Sequence, residues 1–277
     1  MIEFAVADEL KVACSHCATI ARAKIACLFV PEPGDPTGTL TFIAFEGRTY
    51  AVTAGHVIDF FREAAIAEGT DPEGYFLPVA PGLFVHPPFV RPPASWTAPM
   101  PDIALRPIPN ELPARIGKQA FELRPEPMPA FPIPFALAVG FPTKSKSVHA
   151  GTDGTRIALP CVEAAAEGVG SSPESDQVQF FSKLPNRPIT ESLSGLSGGP
   201  TFWSGADSFG LLGFVKQAWD LRPIEGEDAI YAEPRVSFIC QRASYDTFGK
   251  WAGYADEAFP KERAALNERV AGHEKWL

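Results

Sequence analysis

The sequence predicts an all-β protein, a sandwich or barrel, with a helix at its C-terminal end. Short β-branched and aromatic segments alternate with turn residues along most of the 277-residue chain, and about a dozen such segments are typical of these folds. Seventeen of the 29 prolines fall between Pro78 and Pro142. Helix interiors and central strands do not tolerate proline at that density, which excludes a long α/β sheet or a helical bundle there.

Strand candidates follow one another from residue 24 onward, each bounded by Pro, Gly or a turn. They cover residues 24–30, 38–45, 49–53, 77–79, 83–85, 103–107, 136–140, 178–181, 200–203, 210–215 and 235–240. Apolar residues on one side of 57–68 predict a helix. The terminal segment 249–277 also has apolar residues at helical spacing, with Pro260 at a first helical position. The polar, Gly- and Ser-rich stretch 151–176 is predicted as a loop.

Charge and composition exclude several classes of partner. The chain carries 24 basic and 33 acidic residues, a net charge of −9, which argues against nucleic acid or an anionic lipid surface as the main partner. No apolar run approaches the ~18–20 residues of a membrane span, and the N-terminus has no secretory signal. We therefore expect a cytoplasmic protein without membrane or nucleic-acid partners.

The five cysteines do not pair evenly, and reduced thiols fit the expected cytosolic location. Cys14 and Cys17 have the spacing of half a zinc site, but a structural site needs four ligands and no second C-x-x-C is present. The sequence therefore predicts no metal and no cofactor, and it leaves open whether Cys14 and Cys17 bind anything.

Three short motifs carry the residue types of nucleophilic catalysis. The first, at 51–57, is an apolar strand that ends in a small-residue turn and His56. The second places Asp102 at the start of an apolar strand, and the third places Ser197 in the glycine-rich turn 195–200. A serine hydroxyl needs a base such as His56, and the imidazole needs a carboxylate such as Asp102 to orient it. We expect His56 within hydrogen-bond reach of Ser197, and the N–H groups of Gly195 and Ser197 to form an oxyanion hole.

The three motifs and their order along the chain resemble those of the trypsin/chymotrypsin-like serine peptidases. The motifs are Thr-Ala-Gly-His, Asp-Ile-Ala-Leu and Gly-Leu-Ser-Gly-Gly-Pro. The resemblance is strongest to bacterial, disulfide-free members such as Deg-type proteases without a PDZ domain. The resemblance covers about residues 22–245. It implies two six-stranded antiparallel β-barrels with the triad between them. Residues 1–21 are then an N-terminal extension, 22–125 the first barrel, 126–248 the second and 249–277 the terminal helix. Leu196 replaces the aspartate that zymogens of this family use for activation.

The substrate pocket is less defined by the sequence. By resemblance, Glu191 lies at the base of the pocket and favours Arg or Lys, and Lys216, Gln217 and Ala218 lie on the strand that pairs with substrate. Alternatively, Glu191 is a solvated loop charge, or Lys216 neutralises it.

The resemblance implies a serine endopeptidase that forms an acyl-enzyme and acts on a protein or peptide, by limited proteolysis inside the cell. A regulatory partner protein, bound at the long insertions 69–101 or 151–176, is a further expectation. The alternative is a catalytically idle β-barrel that serves as a protein-binding scaffold. An esterase or acyltransferase with the same triad ranks lower.

Overall fold

The computed structural model describes most of the chain, in fifteen stretches. They are residues 13–21, 37–73, 75, 77–80, 83–96, 100–125, 128, 130–143, 147–151, 154–158, 161–170, 176–183, 194–205, 208–221 and 235–273. The strand predicted at 24–30 and the predicted pocket residue Glu191 lie outside the described residues.

The described residues form mostly β-strands, as predicted, with a long C-terminal helix. The strands are β1 (Cys17–Ala21), β2 (Thr37–Phe45), β3 (Arg48–Thr53), β4 (Leu77–Ala80), β5 (Leu83–Val85), β6 (Ala104–Ile108), β7 (Phe121–Glu122), β8 (Ile133–Gly140), β9 (Ser147–Gly151), β10 (Gly154–Ala158), β11 (Val162–Val169), β12 (Gln177–Lys183), β13 (Pro200–Ser204), β14 (Phe209–Leu221) and β15 (Arg235–Arg242). The helices are α1 (Gly55–Ala67), α2 (Leu112–Arg115) and α3 (Tyr245–His273).

The first lobe is built on a five-stranded sheet. Strands β1, β2, β3 and β6 are antiparallel neighbours in that order, and the short β7 pairs parallel with β2. Strand β1 lies within the segment interpreted as an N-terminal extension. Helix α1 follows β3 after one residue, close to its predicted bounds, and its buried residues Val57, Ile58 and Phe61 pack onto this sheet. Strands β4 and β5 form a separate hairpin.

The second lobe is built on a six-stranded antiparallel sheet in the order β11-β8-β13-β14-β15-β12. Its two end strands, β11 and β12, also come into contact, so the sheet is strongly curled. The two main sheets of the described residues therefore have five and six strands, and closure of both lobes into six-stranded barrels stays a prediction.

The sequence analysis missed three strands, β9, β10 and β11, of which β10 and β11 lie within the stretch 151–176 that was predicted as a loop. Strands β9 and β10 form a hairpin, and β11 joins the edge of the large sheet beside β8. Along β11, Glu163 and Ala165 are exposed, whereas Ala164 and Ala166 are buried. The alternation of a half-buried strand is present, but alanine occupies both faces and hides it.

Helix α3 begins earlier than its apolar spacing near the C-terminus predicted. Ser244 caps it, since its hydroxyl accepts the N–H of Thr247 at 3.1 Å. The prediction that Pro260 stands at a first helical position is wrong, because Pro260 lies inside the helix. The helix continues through it because the preceding turns are anchored by four buried residues, namely Phe248, Trp251, Ala252 and Ala255.

One apolar core joins the two lobes and α3. Phe248 is fully buried, and its ring contacts Phe45 and Tyr50 of the first sheet and Phe214 of the second. Because these side chains interdigitate, the lobes are held in one relative position. Among the described residues, no helix has both the length and the apolar character needed to cross a membrane.

Candidate active site

The pairing of two strands in the first lobe brings His56 and Asp102 together. His56 lies in the first turn of α1, just after β3, and Asp102 lies just before β6. Thr53 and Ala104 are partners in the antiparallel β3–β6 ladder, so the end of one strand lies beside the start of the other. Two motifs 46 residues apart therefore meet at one end of the sheet.

The Asp102 carboxylate contacts two nitrogens of His56 at once. Its Oδ1 accepts the backbone N–H of His56 at 2.9 Å, and its Oδ2 lies 2.7 Å from Nδ1 of the imidazole. An ionised carboxylate only accepts hydrogen bonds, so Nδ1 carries the proton and Nε2 of the neutral ring remains an acceptor. The backbone N–H belongs to the first turn of α1, where Ala54 provides no side-chain cap. Asp102 therefore orients the imidazole and caps the helix that carries it.

The environment of Asp102 favours its ionised form. Its side chain is 10% exposed, whereas that of His56 is 50% exposed. Burial raises the pKa of the Asp102 carboxyl, but the hydrogen bonds and charge of His56, together with the nearby Arg91 guanidinium, outweigh burial and hold the pKa below its ordinary value. The imidazole thus has a fixed anion on one side and solvent access on the other.

Ser197 lies in a turn that requires glycine at two positions. Gly195 and Gly198 have φ values of +103° and +89°, a region that residues with a Cβ rarely adopt. A Cβ on Gly198 would lie 2.2 Å from the carbonyl oxygen of Thr39, and a Cβ on Gly195 would lie 2.6 Å from that of Phe141. The glycines therefore let the turn pack closely between the two lobes.

Strand β2 of the first lobe binds this turn through two buried threonines. The backbone N–H of Thr39 donates to the carbonyl of Ser197 at 2.9 Å. The Thr39 hydroxyl donates to the carbonyl of Gly195 at 2.7 Å, and the Thr41 hydroxyl donates to that of Gly198 at 2.8 Å. We call Thr39 and Thr41 the threonine clamp. Three consecutive hydrogen bonds thus fix the turn relative to the strand that leads toward β3 and His56.

The second lobe binds the other side of the turn. The N–H of Gly198 donates to Val215 on β14 at 2.7 Å, and the N–H of Val215 donates to Gly199 at 2.8 Å. Thr143, after β8, donates its N–H to the carbonyl of Ser194 at 2.6 Å. Because backbone groups from both lobes engage it, the turn is held rigidly at the junction of the lobes.

The Ser197 hydroxyl points to Lys216 in this structure. It donates to the Lys216 carbonyl at 3.2 Å, and the described residues show no hydrogen bond between Ser197 and His56. The turn nevertheless lies next to the histidine segment, since a Cβ on Gly198 would be 2.8 Å from the backbone nitrogen of Ala54. A rotation about the Cα–Cβ bond of Ser197 is the smallest movement that redirects the hydroxyl.

Two backbone N–H groups in the turn are available as donors. The Ser194 carbonyl accepts from Thr143, so the N–H of Gly195 on the same peptide plane points the opposite way. The carbonyl before Ser197 accepts from Gly199 at 2.8 Å, which turns the Ser197 N–H away from Gly199. Within the described residues neither N–H has a hydrogen-bond partner. These are the two donors that the sequence analysis assigned to an oxyanion hole.

The other predicted pocket residues lie on β14. A bulge between Val215 and Gln217 leaves Lys216 without a ladder partner. Gln217 is exposed, and Lys216 and Ala218 are partly buried. Because Glu191 is outside the described residues, the interpretation that Lys216 neutralises it stays a prediction.

A cleft of about 470 Å³ lies apart from these residues. Its lining includes His16, Phe121, Trp203 and Tyr245 but none of the three motif residues. Burial lowers the pKa of His16, whose Nδ1 lies 3.1 Å from the carbonyl of Gln119. Ser208 and Ser244 also line the cleft, but no hydrogen bond joins either hydroxyl to His16 among the described residues, so the glycine turn remains the candidate active site.

Cys14 and Cys17 lie beside a third thiol, Cys161. Cys14 donates to the Glu163 carboxylate at 3.0 Å, and Cys161 is in hydrogen-bonding contact with Cys17 and Cys14. Burial, followed by the bond to Glu163, raises the pKa of the Cys14 thiol, so it is protonated. Among the described residues, no group of His, Cys, Asp and Glu side chains is arranged to hold a metal ion.

Sequence reasoning missed the threonine clamp and Arg91. The clamp had a signal, because threonines recur at every second position along Thr37, Thr39 and Thr41 of an otherwise apolar strand. Arg91 had none, since it lies in a proline-rich segment whose path only the folded structure shows.

No protein-family model matches the chain, and no curated protein matches its sequence. Solved structures with a similar fold share 14% identity with it. One, from M. tuberculosis H37Rv, is an inactive serine-to-alanine mutant of Rv3671c, with a TM-score of 0.43, covering 89% of this chain and 87% of that one. A thermostable serine protease, AL20, from an extremophilic microorganism has a TM-score of 0.41, covering 84% and 94%. A structure from work on the Sesbania mosaic virus VPg protein has a TM-score of 0.37, covering 80% and 84%. With TM-scores below 0.5, these similarities carry no weight in the functional argument, which rests on the side chains.

The threonine clamp predicts a large cost for Thr39→Val. The valine leaves the Gly195 carbonyl and the Phe141 N–H, which donates to the Thr39 hydroxyl at 3.1 Å, without partners in a buried site. The free energy of unfolding should fall by about 1–3 kcal/mol, measured by urea denaturation. Thr201→Val is the matched control, because among the described residues this buried hydroxyl bonds only the thiol of Cys240, a weak hydrogen-bonding partner. An equal cost for the two variants would contradict the role of the clamp.

The lowered pKa of Asp102 predicts a pH-dependent difference between the wild type and Asp102→Asn. The folded pKa lies below the unfolded value of about 3.9, so the ionised carboxylate stabilises the fold fully above that pH, and this contribution is lost as pH falls through the folded pKa. The difference in unfolding free energy should therefore shrink as the pH falls below about 4, relative to its value at about pH 5. Chemical denaturation across this range measures it, and a difference independent of pH would refute the assignment.

Proposed function

We propose that the chain is a trypsin/chymotrypsin-like serine endopeptidase with His56, Asp102 and Ser197 as its catalytic triad. The observation that carries the proposal is the Asp102 carboxylate, which binds the backbone N–H and the imidazole Nδ1 of His56 beside the glycine turn that presents Ser197. A buried, ionised carboxylate on Nδ1 gives the imidazole the tautomer and orientation that a general base needs. The finer architecture we propose is a pair of six-stranded barrels, with this site at their junction.

In the proposed reaction, Ser197 attacks the carbonyl carbon of a peptide bond. Its hydroxyl first turns from the Lys216 carbonyl toward Nε2 of His56, which takes the proton as the C–O bond forms. Asp102 stays ionised and stabilises the imidazolium. His56 then returns the proton to the leaving amine, and the acyl-enzyme remains on Ser197.

The negative charge on the carbonyl oxygen is stabilised by the N–H groups of Gly195 and Ser197. Both lie in a turn held by both lobes, so the donors are in place before the charge develops. A water molecule, deprotonated by His56, then attacks the acyl-enzyme, and collapse of the second intermediate releases the acid and restores the Ser197 hydroxyl.

The proposed substrate is a protein or peptide whose backbone runs along the bulged part of β14. Lys216, Gln217 and Ala218 are the candidate contacts. The bulge leaves Lys216 out of the strand ladder, so its backbone groups can bond an extended chain once the Ser197 hydroxyl turns away from the Lys216 carbonyl. Glu191 at the base of the pocket, a cytoplasmic location and a regulatory partner protein remain parts of the proposal. Leu196 is fully buried and offers no carboxylate for activation by a new N-terminus.

One observation favours a catalytically idle binding module as the second candidate. The Ser197 hydroxyl is engaged by Lys216 and not by His56. In an idle module that bond would be permanent, whereas in a peptidase it breaks when substrate binds. The two candidates differ in whether Ser197 reacts as a nucleophile.

A fluorophosphonate serine probe separates them without knowledge of the substrate. The wild type should be labelled, and Ser197→Ala and His56→Ala should lose labelling by at least about 10³-fold, because nucleophile and base act as one unit. Ser194→Ala is the matched control: an exposed serine of the same turn whose loss should leave labelling unchanged. Labelling at another serine, or none in a wild type whose cooperative unfolding shows that it is folded, would contradict the proposal.

A further inference from the structure

The Arg91 guanidinium lies between α1 and the Asp102 carboxylate. Its Nη1 forms an ion pair with Asp59 on α1, and its Nη2 is 3.7 Å from Oδ1 of Asp102. The side chain is only 18% exposed. The β-bridge between Val90 and Leu105 holds the backbone next to Arg91 beside β6, the strand that follows Asp102. One cation thus contacts the carboxylate that orients His56 and the helix that carries His56.

Gly55, the residue before His56, makes room for this guanidinium. A Cβ at Gly55 would lie 2.3 Å from Nη2 and 2.5 Å from Cζ of Arg91. No positive φ is recorded for Gly55, so its backbone conformation does not require glycine. Glycine is required here because the Arg91 guanidinium occupies the space that a Cβ would take. An alanine here would displace the end of the arginine side chain and leave the backbone in place.

Two carboxylates hold the Arg91 guanidinium in its position. Asp59 and Asp102 face it from two elements, while Arg62 lies 3.9 Å from Asp59 and pairs with Glu73. The cation sits at the N-terminus of α1, where the helix dipole disfavours positive charge, so the two carboxylates keep it there. Its charge also helps to hold the pKa of Asp102 below the ordinary value.

We propose that Arg91 is a positioning residue for the catalytic pair. It pairs with Oδ1 of Asp102, the oxygen that accepts the His56 backbone N–H, and ties that carboxylate to α1 through Asp59, so that the imidazole keeps one orientation as His56 gains and loses its proton. It also places a positive charge near the imidazolium, which eases proton transfer back to the leaving group. This role rests on the proposed serine-peptidase function.

Variants of Arg91 test the proposal through the rate and pH dependence of fluorophosphonate labelling. Arg91→Gln should label roughly tenfold more slowly, and its rate should reach half-maximum at a higher pH, because a charge that opposes the imidazolium is gone. Arg91→Lys keeps the charge but not the planar fork, so it should restore the pH profile and only part of the rate. Arg62→Gln is the matched control, since Arg62 contacts Asp59 but not Asp102.

A double-mutant cycle with Gly55 tests the mechanism itself. Gly55→Ala should slow labelling about as much as Arg91→Gln, because its Cβ displaces the guanidinium. In the Arg91→Gln background the same alanine should cost little, so the two effects should not add. Thermal unfolding of all variants checks that each is folded.

The outcomes separate the two proposals. If the wild type labels at Ser197, but Arg91→Gln labels at the same rate with the same pH profile, the Arg91 role is overturned and the peptidase proposal stands. Additive effects in the cycle would also overturn it. If the folded wild type does not label, the peptidase proposal fails, and the Arg91 role fails with it.

Discussion

The site depends on one carboxylate. Asp102 accepts the backbone N–H at the start of α1 and faces Nδ1 of the imidazole on the same residue. Helix position and ring orientation are therefore set by a single group, and removing it would free both. The surroundings hold this group in place: it is largely buried, its own N–H faces the Gln241 amide oxygen at 3.3 Å, and Arg91 lies beside it. Burial alone would favour the neutral acid, but the hydrogen bonds and charge of His56, together with the charge of Arg91, hold the pKa of the carboxyl below its ordinary value.

The serine is placed by a different device. The glycine turn is held through its backbone groups, which bond to Thr39 and Thr41 in one lobe and to Val215 in the other. Its position relative to His56 thus depends on how the two lobes meet. The shared apolar core, which includes Phe248 of α3, fixes the position of one lobe relative to the other. Stability of the core and alignment of the site are therefore linked.

The sequence predicted well where local pattern decides the structure. The β-rich fold and helix α1 follow from short apolar segments and turns. The pairing of His56 with Asp102 was expected on other grounds, namely the chemistry of the three motifs. The extent of α3 was mispredicted because Pro260 looked like a helix start, whereas Ser244 and the buried Phe248 set the true beginning. Strand β11 was missed because alanines occupy both its faces. Arg91 could not be found, since its role arises from packing against Gly55, a contact between residues 36 positions apart in a proline-rich region.

The central claim is that Asp102 binds the imidazole N–H of His56, and proton NMR of the chain labelled with ¹⁵N-histidine tests it most directly. A ring N–H that donates to a buried carboxylate is strongly deshielded, so the wild type should show a far-downfield proton bonded to a histidine ring nitrogen. The same signal should persist in Ser197→Ala, which leaves the pair intact, and should disappear in Asp102→Asn. A spectrum in which Asp102→Asn loses no downfield histidine proton would contradict the account.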